Sequence, residues 1–321
     1  MIVYSEPKTA SHLPVIDLGP SLTRDEEGRK RVAAEIATAC RDTGFFYISN
    51  HGISEALVDR TFAEANRFFD QPDDEKLKLA KQGGSNGYEG IEAQRLDKDS
   101  PGDIKESFNF SEEGEPGTPG AKTNNWPTDL AGFREDLEEY CGALRQVGLH
   151  VSRLIALSLD IPFNYFDDMF SGQKSPLRIL RYPPQPADAK FNQLGAGAHT
   201  DWGWITLLAQ DDLGGLEVET ASGYWVRVNP IPGTFVVNLG DLVPRWTNGL
   251  YHSSLHRVMN NRSGRQRHSI VLFYNQAHET HVEALPTCLK TGEAPMFPPC
   301  TAGEHTSQRY MESRPQLESA G

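Results

Sequence analysis

The chain has 321 residues, of which 38% are hydrophobic and 23% are charged. This composition is typical of a globular protein with a sizeable core, arranged as one large domain or two small ones. The formal net charge of −13 argues against a partner that presents a phosphate backbone, so we expect no nucleic-acid partner. No apolar run reaches the roughly 18 residues that a membrane-spanning helix requires, so we expect no membrane partner either.

The cysteines and the first residues of the chain bear on its compartment. The cysteines are far apart and form no Cys-x-x-Cys pair, which indicates reduced thiols rather than a disulfide framework. Residues 1–6 lack the basic start and apolar core of a signal peptide. We therefore expect a cytoplasmic protein. The four cysteines are Cys40, Cys141, Cys288 and Cys300.

The N-terminal region alternates strand and helix patterns. Residues 13–18 and 44–48 are apolar and short, which predicts two buried strands. Between them, residues 23–26 have the Thr-x-x-Glu pattern of a capping box, and a helix should follow to about Cys40. Ser54 is predicted to cap a second helix, because apolar residues follow it at helical spacing.

The middle of the chain contains two long loops, one strand and one long helix. Residues 82–90 and 112–127 are rich in Gly, Pro or Thr, which predicts either lids over a pocket or plain surface loops. Residues 106–110, between these loops, predict a strand that could line a pocket. From about Leu130 to Leu159, apolar residues recur at helical spacing without a proline, which predicts a scaffold helix against a sheet.

The remaining core predicts a sheet structure. Short apolar segments separated by Gly-, Pro- and Asn-rich turns are typical of a two-sheet antiparallel jelly roll. The predicted fold class is mostly β with flanking helices and an α-rich N-terminal region. Within one compact unit we predict an N-terminal region at 1–125, a scaffold helix at 126–173, a jelly-roll core at 174–290 and a C-terminal segment and tail at 291–321.

Two histidines and one aspartate suggest a metal site in this core. His199 and Asp201 are two residues apart, so in an extended segment they point to the same side. His256 would have to reach them from another strand. Two imidazoles and a carboxylate bind one face of an octahedral Fe(II) and leave three positions open. Arg267, eleven residues after His256, precedes Ser269 by two residues, and its guanidinium fork fits a carboxylate.

Taken together, these motifs resemble the isopenicillin-N-synthase-like family of 2-oxoglutarate/Fe(II)-dependent oxygenases. The resemblance implies a double-stranded β-helix core, the jelly roll of cupin-like proteins. It also implies that His199, Asp201 and His256 hold the iron. Arg267 and Ser269 would bind the distal carboxylate of 2-oxoglutarate, with the hydroxyl of Tyr182 nearby. The matching segments, in the order of the family, are residues 199–203, 215–218, 232–234, 238–241, 247–249, 256–258 and 267–269.

The family resemblance also implies the reaction. Fe(II), 2-oxoglutarate as co-substrate and O2 would oxidise a small molecule by hydroxylation, desaturation or ring formation, with release of succinate and CO2. Secondary metabolism is the expected setting. Three alternatives remain open at this point: a cyclase-type Fe(II) oxidase that uses no 2-oxoglutarate, a non-catalytic metal- or ligand-binding jelly roll, and a zinc hydrolase. The hydrolase lacks the positioned glutamate base of a His-Glu-x-x-His motif.

Candidate substrate residues are less strongly indicated. Tyr88, Phe108, Phe110 and Trp202 would suit an apolar or aromatic substrate body. Arg178, or its neighbour Arg181, would favour an acidic substrate such as an amino acid if it faced the pocket, although each can equally be an exposed charge. The sequence leaves the oligomeric state open.

Several other polar residues have structural interpretations. We predict that His51 and Arg257 are structural and that His252 lies at the surface or behind the ligands. His278 and His281 fall past the last core strand and are not expected to bind metal.

Overall fold

The computed structural model describes residues 13–23, 25–82, 85–97, 100–113, 123–170 and 175–312. The α-helices in these ranges are α1 (Glu26–Asp42), α2 (Glu55–Phe69), α3 (Asp73–Lys78), α4 (Phe133–Ser158), α5 (Leu242–Trp246) and α6 (Ala302–Glu312). Short 3-10 helices cover Gly19–Ser21, Asp167–Phe170 and Pro286–Cys288. The strands are β1 (Val15–Asp17), β2 (Phe45–Ser49), β3 (Tyr88–Glu89), β4 (Glu106–Phe110), β5 (Leu177–Tyr182), β6 (Ala196–His199), β7 (Ile205–Gln210), β8 (Leu216–Glu219), β9 (Trp225–Arg227), β10 (Phe235–Leu239), β11 (His256–Val258), β12 (Arg267–Tyr274), β13 (His281–Val282) and β14 (Cys300–Thr301).

Two facing sheets form the centre of the molecule. The large sheet has eight strands in the order β1-β2-β10-β7-β12-β5-β4-β3, and the small sheet has four in the order β6-β11-β8-β9. All neighbouring strands within them are antiparallel except β1 and β2, which are parallel. This is the mostly-β architecture with flanking helices that the sequence predicts.

The large sheet has two different apolar faces. Because successive side chains of a strand point to opposite sides, Leu180 and Tyr182 of β5 enter the core between the two sheets. Leu177 and Ile179 of the same strand enter a second core, which the large sheet forms with the helices. We call the first side the inner face and the second side the outer face. A residue of this sheet can be assigned to one face from its pairing register alone.

The long helix α4 covers the outer face. It spans 26 residues, close to the predicted 130–159, and buries Leu137, Leu144 and Val151 along one side. Gly148 allows close approach to β12, because a Cβ at that position would lie only 2.8 Å from the Tyr274 ring. Among the described residues, no helix combines the length and apolar composition needed to cross a membrane.

The N-terminal strands belong to the large sheet itself. β1 and β2 form one edge, and β4 and β3 form the other. The predicted strands at 13–18, 44–48 and 106–110 are therefore present. The division of the chain at residues 125, 173 and 290 stays a prediction. Residues 114–122 of the loop predicted at 112–127, and the tail from residue 313 onward, lie outside the described residues.

Of the two predicted N-terminal helix caps, the cap of α2 is confirmed and the cap of α1 is not. Ser54 caps α2 as expected, because its hydroxyl accepts the N–H of Leu57. The cap of α1 differs from the prediction: Asp25, not Thr23, accepts the first free N–H groups. A carboxylate at this position also interacts favourably with the positive end of the helix dipole.

A buried ion cluster fastens α3 to the outer face. The Glu106 carboxylate accepts hydrogen bonds from Lys76 at 2.9 Å, from the Tyr88 hydroxyl at 2.7 Å and from Arg181 at 2.7 Å. Lys76 and Glu106 are buried. A buried charge is stable only when it is paired, so loss of one partner leaves the others uncompensated.

Replacement of Glu106 should destabilise the fold. In Glu106→Gln, Lys76 and Arg181 lose their buried counter-charge, and we expect the free energy of unfolding to fall by roughly 3 kcal/mol. The control is Glu138→Gln on α4, whose ion pair with Arg134 is exposed and should contribute no more than about 0.5 kcal/mol. Urea unfolding of both variants measures the difference. Equal unfolding midpoints would show that the cluster does not stabilise the sheet.

Candidate active site

The register of the small sheet brings the two predicted histidines together. His199 ends β6, His256 begins β11, and the two residues are direct partners across the antiparallel pair. Their ring centroids lie 4.3 Å apart. Asp201 follows β6 by two residues, and its Oδ1 lies 4.0 Å from Nε2 of His199 and 3.8 Å from Nε2 of His256.

Backbone carbonyls orient both imidazoles. Nδ1 of His199 lies 2.7 Å from the carbonyl oxygen of Gly197, and Nδ1 of His256 lies 3.2 Å from that of Ser254. A carbonyl oxygen can only accept, so Nδ1 carries the proton in each ring. Nε2 therefore keeps its lone pair and points toward Asp201. This is the tautomer that a metal-binding histidine uses when its other nitrogen is held by the backbone.

Two neutral side chains hold the Asp201 carboxylate. Thr206 of β7 donates a hydrogen bond from its hydroxyl to Oδ2 at 2.5 Å, and Asn238 of β10 donates one from its amide at 2.7 Å. Both bonds end on Oδ2, so Oδ1 remains directed at the imidazoles. The three ligand candidates lie on or beside the small sheet, whereas these supports come from the large sheet. The site is therefore assembled between the two sheets.

The charge states suit metal binding. Burial, together with the neighbouring His256 imidazole, lowers the pKa of His199 to about 3, so its ring is neutral at neutral pH. Burial opposes ionisation of Asp201, but the two imidazoles and the hydrogen bonds from Asn238 and Thr206 outweigh this effect and lower the pKa of the carboxyl. A carboxylate and uncharged imidazoles are the forms that bind a divalent cation.

The donor atoms of this triad fit one metal ion. All three lie within 4.8 Å of one another, a spacing that a single ion with bonds of about 2 Å can bridge. Nitrogen and oxygen donors in a 2-His-1-carboxylate set favour non-haem Fe(II). His199, Asp201 and His256 are thus brought together in an arrangement that could hold iron.

The predicted anion site lies on the inner face of β12. Arg267 is fully buried, donates to the carbonyl oxygen of Gly214, and places its guanidinium carbon 4.6 Å from the centre of the Tyr182 ring. Its Nη1 and the Oγ of Ser269 are both buried and have no hydrogen-bond partner among the described residues. An unsatisfied buried polar group costs about 1–3 kcal/mol. Two such donors on one face indicate a missing acceptor, and a carboxylate fits both.

Three of the residues predicted to line the substrate pocket do not face the metal triad, so this prediction is wrong for them. Phe108, Phe110 and Tyr88 all belong to the core on the outer face. The ring centroids of Phe108 and of Phe68 on α2 lie 4.8 Å apart, and the Tyr88 hydroxyl donates a hydrogen bond to Glu106. The residue types suit a pocket, but the register of β4 turns these side chains toward the helices.

Arg178 and Arg181 lie on opposite faces of the large sheet, because side chains alternate along β5. Arg178 shares the inner face with Leu180 and Tyr182, because all three are spaced by two along β5. Arg181 points to the outer face, where it pairs with Glu106 and Asp70. Of the two arginines that the sequence left open, Arg178 is the one on the side of the metal triad.

The C-terminal helix α6 contacts the residues next to Asp201. Arg309 of α6 lies 3.2 Å from Oδ2 of Asp241 and donates to Thr200 Oγ1 at 3.2 Å. The Tyr310 ring stands edge-on to Trp202, with centroids 6.5 Å apart. Trp202 thus packs beneath α6 next to Asp201.

The remaining histidines and Arg257 have structural surroundings. His51 accepts the N–H of Ile53 and packs against the Phe235 ring. Arg257 is buried, pairs with Glu217 at 2.8 Å and lies over the Trp225 ring. The side chains of His252, His278 and His281 are exposed, and the described residues group none of them with the triad.

Sequence reasoning missed Thr206, Asn238 and Arg309. A weak signal existed for the first two, since each is a polar residue inside an otherwise apolar strand, where an unpaired polar group is costly. Arg309 had no such signal, because its contact depends on how α6 is docked.

Two family models match the chain. One, described as the N-terminal region of the non-haem dioxygenase in morphine synthesis, matches residues 13–129. The other, described as the 2OG-Fe(II) oxygenase superfamily, matches residues 173–276. The second range includes the three candidate metal ligands and the predicted anion site.

Individual proteins are similar over almost the whole chain. The 2-oxoglutarate-Fe(II) type oxidoreductase hxnY of Emericella nidulans is 36% identical, over 95% of this chain and 91% of the relative. A homoarginine-6-hydroxylase of Oryza sativa subsp. japonica is 35% identical, over 93% and 96%. The crystal structure of a full-length Neurospora crassa protein in complex with alpha-KG and thymine has a TM-score of 0.85 at 30% identity, over 94% and 97%. This likeness confirms the predicted fold class.

Removal of a support for Asp201 should weaken metal binding without altering the ligands. In Thr206→Val the hydroxyl is replaced by a methyl group of similar size, so Oδ2 loses one hydrogen bond. We expect Fe(II) affinity to fall about 10- to 100-fold, the usual effect of losing an outer partner. The control is Thr234→Val, whose hydroxyl binds the carbonyl of Ile231 in an exposed turn. Anaerobic titration with Fe(II) measures both, and equal affinities would exclude a supporting role for Thr206.

Proposed function

Because the chain belongs to the 2-oxoglutarate-Fe(II) oxygenase superfamily, we propose specific roles for its site residues in the reaction of that family. The enzyme is a 2-oxoglutarate-dependent dioxygenase that acts on a small molecule. Bound Fe(II) and 2-oxoglutarate supply the oxidising chemistry, in which O2 converts 2-oxoglutarate to succinate and CO2 and a substrate C–H bond is oxidised. The protein residues bind and orient these components.

In our proposal, His199, Asp201 and His256 are the iron ligands. Their donor atoms come from three points that the two sheets hold close together. The carbonyls of Gly197 and Ser254 keep the lone pairs of Nε2 directed at the metal position. Because only one face of the ion would be covered, the opposite positions stay open for co-substrate and O2.

Arg267 and Ser269 are proposed to bind the distal carboxylate of 2-oxoglutarate. The observation that carries this assignment is the pair of buried donors without partners, Nη1 of Arg267 and Oγ of Ser269, among the described residues. Gly214 and the Tyr182 ring fix the guanidinium from two sides, so its free edge is held in place before the ligand arrives. A rigid, preformed donor pair loses little entropy when it binds a carboxylate.

Apolar residues of both sheets lie near the proposed carboxylate site. Val258, Val218 and Leu180 lie in the same core between the sheets as Tyr182. Because Arg267 lies over the Tyr182 ring, the proposed carboxylate site adjoins this apolar core, where the local dielectric is low. A charge-assisted hydrogen bond is stronger in such surroundings than at the surface.

The substrate class is supported by the relatives. The Neurospora crassa protein has been crystallised with thymine, and the rice relative is named for homoarginine. Both are small polar molecules, and we propose a substrate of similar size for this enzyme. We also propose a cytoplasmic location, because the four cysteines carry free thiols, as expected in a reducing compartment.

Loss of one iron ligand should abolish turnover. His256→Ala removes one of three protein ligands, and we expect Fe(II) affinity to fall by more than the roughly 100-fold upper limit for an outer partner. The matched control is His252→Ala, four residues earlier and exposed, which should behave as wild type. Anaerobic Fe(II) titration and succinate formation are the measurements. Wild-type values in His256→Ala would show that another residue completes the metal site.

Loss of Arg267 should raise the requirement for 2-oxoglutarate. In Arg267→Ala the buried carboxylate would lose its charged partner, which costs about 2–5 kcal/mol, or about 30- to several-thousand-fold in affinity. Arg267→Lys keeps the charge but not the fork and should fall between. Arg265→Ala, two residues away and exposed, serves as the control.

Anaerobic titration of the iron-loaded protein with 2-oxoglutarate, followed by its weak visible absorption band, measures these affinities. A wild-type titration in Arg267→Ala would remove this residue from the co-substrate site. If wild-type protein bound no 2-oxoglutarate and Arg267→Ala instead lost the prime substrate, the cyclase-type oxidase would explain the site better.

A further inference from the structure

A second arginine, Arg178, is partly buried on the inner face, at the opposite end of β5 from the proposed co-substrate site. Arg267 pairs with Tyr182, whereas Arg178 is four residues before Tyr182 on the same face. At about 3.3 Å per residue this separation is about 13 Å along the strand. The two arginines therefore start from well-separated positions on the inner face.

A chain of neighbouring residues links Arg178 to the triad. Its guanidinium carbon lies 5.5 Å from the centre of the Phe273 ring, which belongs to the core between the sheets. Phe273 is the direct partner of Thr206, whose hydroxyl binds Asp201. A short chain of neighbours thus connects Arg178 to a proposed iron ligand, on the side away from Arg267.

The Arg178 guanidinium is held rigidly but keeps one free edge. Nε donates to Oδ1 of Asn109, and Nη1 donates to Oε1 of Gln94 at 3.2 Å. Nη2 donates no hydrogen bond to the described residues, and its closest carboxylate oxygen, Oε2 of Glu89, is 4.0 Å away. The side chain is 20% exposed, so it is only partly covered by its neighbours.

Arg178 shares one carboxylate, that of Glu89, with Lys81. Burial opposes ionisation of Glu89, but Arg178, Lys81 and the hydrogen bond from Asn109 outweigh this effect and lower the pKa of its carboxyl. Lys81 lies 3.0 Å from Glu89 and already neutralises it. Lys81 is thus closer to this carboxylate than Arg178 is, at 3.0 Å against 4.0 Å. The Arg178 guanidinium would attract an anionic ligand and repel a cationic one.

We propose that Arg178 recognises the prime substrate and that this substrate is a small organic carboxylate with a flat apolar body. The carboxylate accepts the hydrogen bonds of Nη2, and the flat body packs on the ring of Phe273. The assignment rests on the proposed function, since it places a substrate next to the iron. It makes Arg178 a specificity-determining residue, distinct from the residues that bind metal and 2-oxoglutarate.

Matched probes test the charge requirement. Protein loaded with Fe(II) and saturating 2-oxoglutarate is titrated anaerobically by calorimetry with benzoate, phenylacetate and indole-3-acetate, and with the neutral amide of each. Saturation with 2-oxoglutarate keeps the probes away from Arg267. We expect at least one carboxylate to bind about ten-fold or more tightly than its own amide, the preference that one charge-assisted hydrogen bond supplies.

Substitutions at two positions of β5 test whether Arg178 causes this preference for carboxylates. In Arg178→Gln the ratio between carboxylate and amide should fall to about one, and in Arg178→Lys it should be intermediate, because charge remains without the fork. The matched control is Arg181→Gln, on the same strand but facing the helices, which should keep the wild-type ratio. Thermal melting and a 2-oxoglutarate titration verify that each variant is folded.

Three results would overturn the proposal: amides that bind as tightly as carboxylates, a preference that survives in Arg178→Gln, or no binding of any carboxylate at millimolar concentration. These results differ from the result expected if the proposed function itself were wrong. If the protein were not a 2-oxoglutarate-dependent enzyme, the wild-type protein would not bind 2-oxoglutarate, whatever its affinity for the probes.

Discussion

The site depends on one strand pairing, the register that sets His256 directly opposite His199. A slip of one residue would turn one imidazole to the other face of the small sheet and destroy the triad. The ladder is irregular immediately beyond this point, since Val258 pairs with Ala196 rather than with Gly197. Such bulges are common beside active sites because they redirect a side chain.

The large sheet supports the triad and also divides the molecule. Its inner face carries Thr206 and Asn238, which hold Asp201, and its outer face carries the apolar residues that pack on α2 and α4. The same strands thus bury a hydrocarbon core on one side and arrange polar groups on the other. Burial of the outer face against α4 determines the strand register, and this register determines which polar residues lie on the inner face.

The inner face has two positively charged ends with the metal triad beside them. Arg267 is held by Gly214 and Tyr182 at one end, and Arg178 is held by Asn109 and Gln94 at the other. In each case the neighbours immobilise the guanidinium but leave donor groups free. This arrangement suits an enzyme that must orient two small ligands against one metal ion, since orientation depends on rigid donors.

The sequence by itself determined the class of fold and indicated the candidate ligands His199, Asp201 and His256 and the candidate anion-binding pair Arg267 and Ser269, because strand periodicity and the order of short motifs can be read along the chain. It could not decide which side of the large sheet Phe108 or Arg178 would face, since both choices satisfy a strand pattern. It also could not predict that Thr206 would contact Asp201 or that Arg309 would contact Thr200. Those contacts join elements whose relative placement no local pattern encodes, and only tertiary packing, through strand register and the docking of α6, determines them.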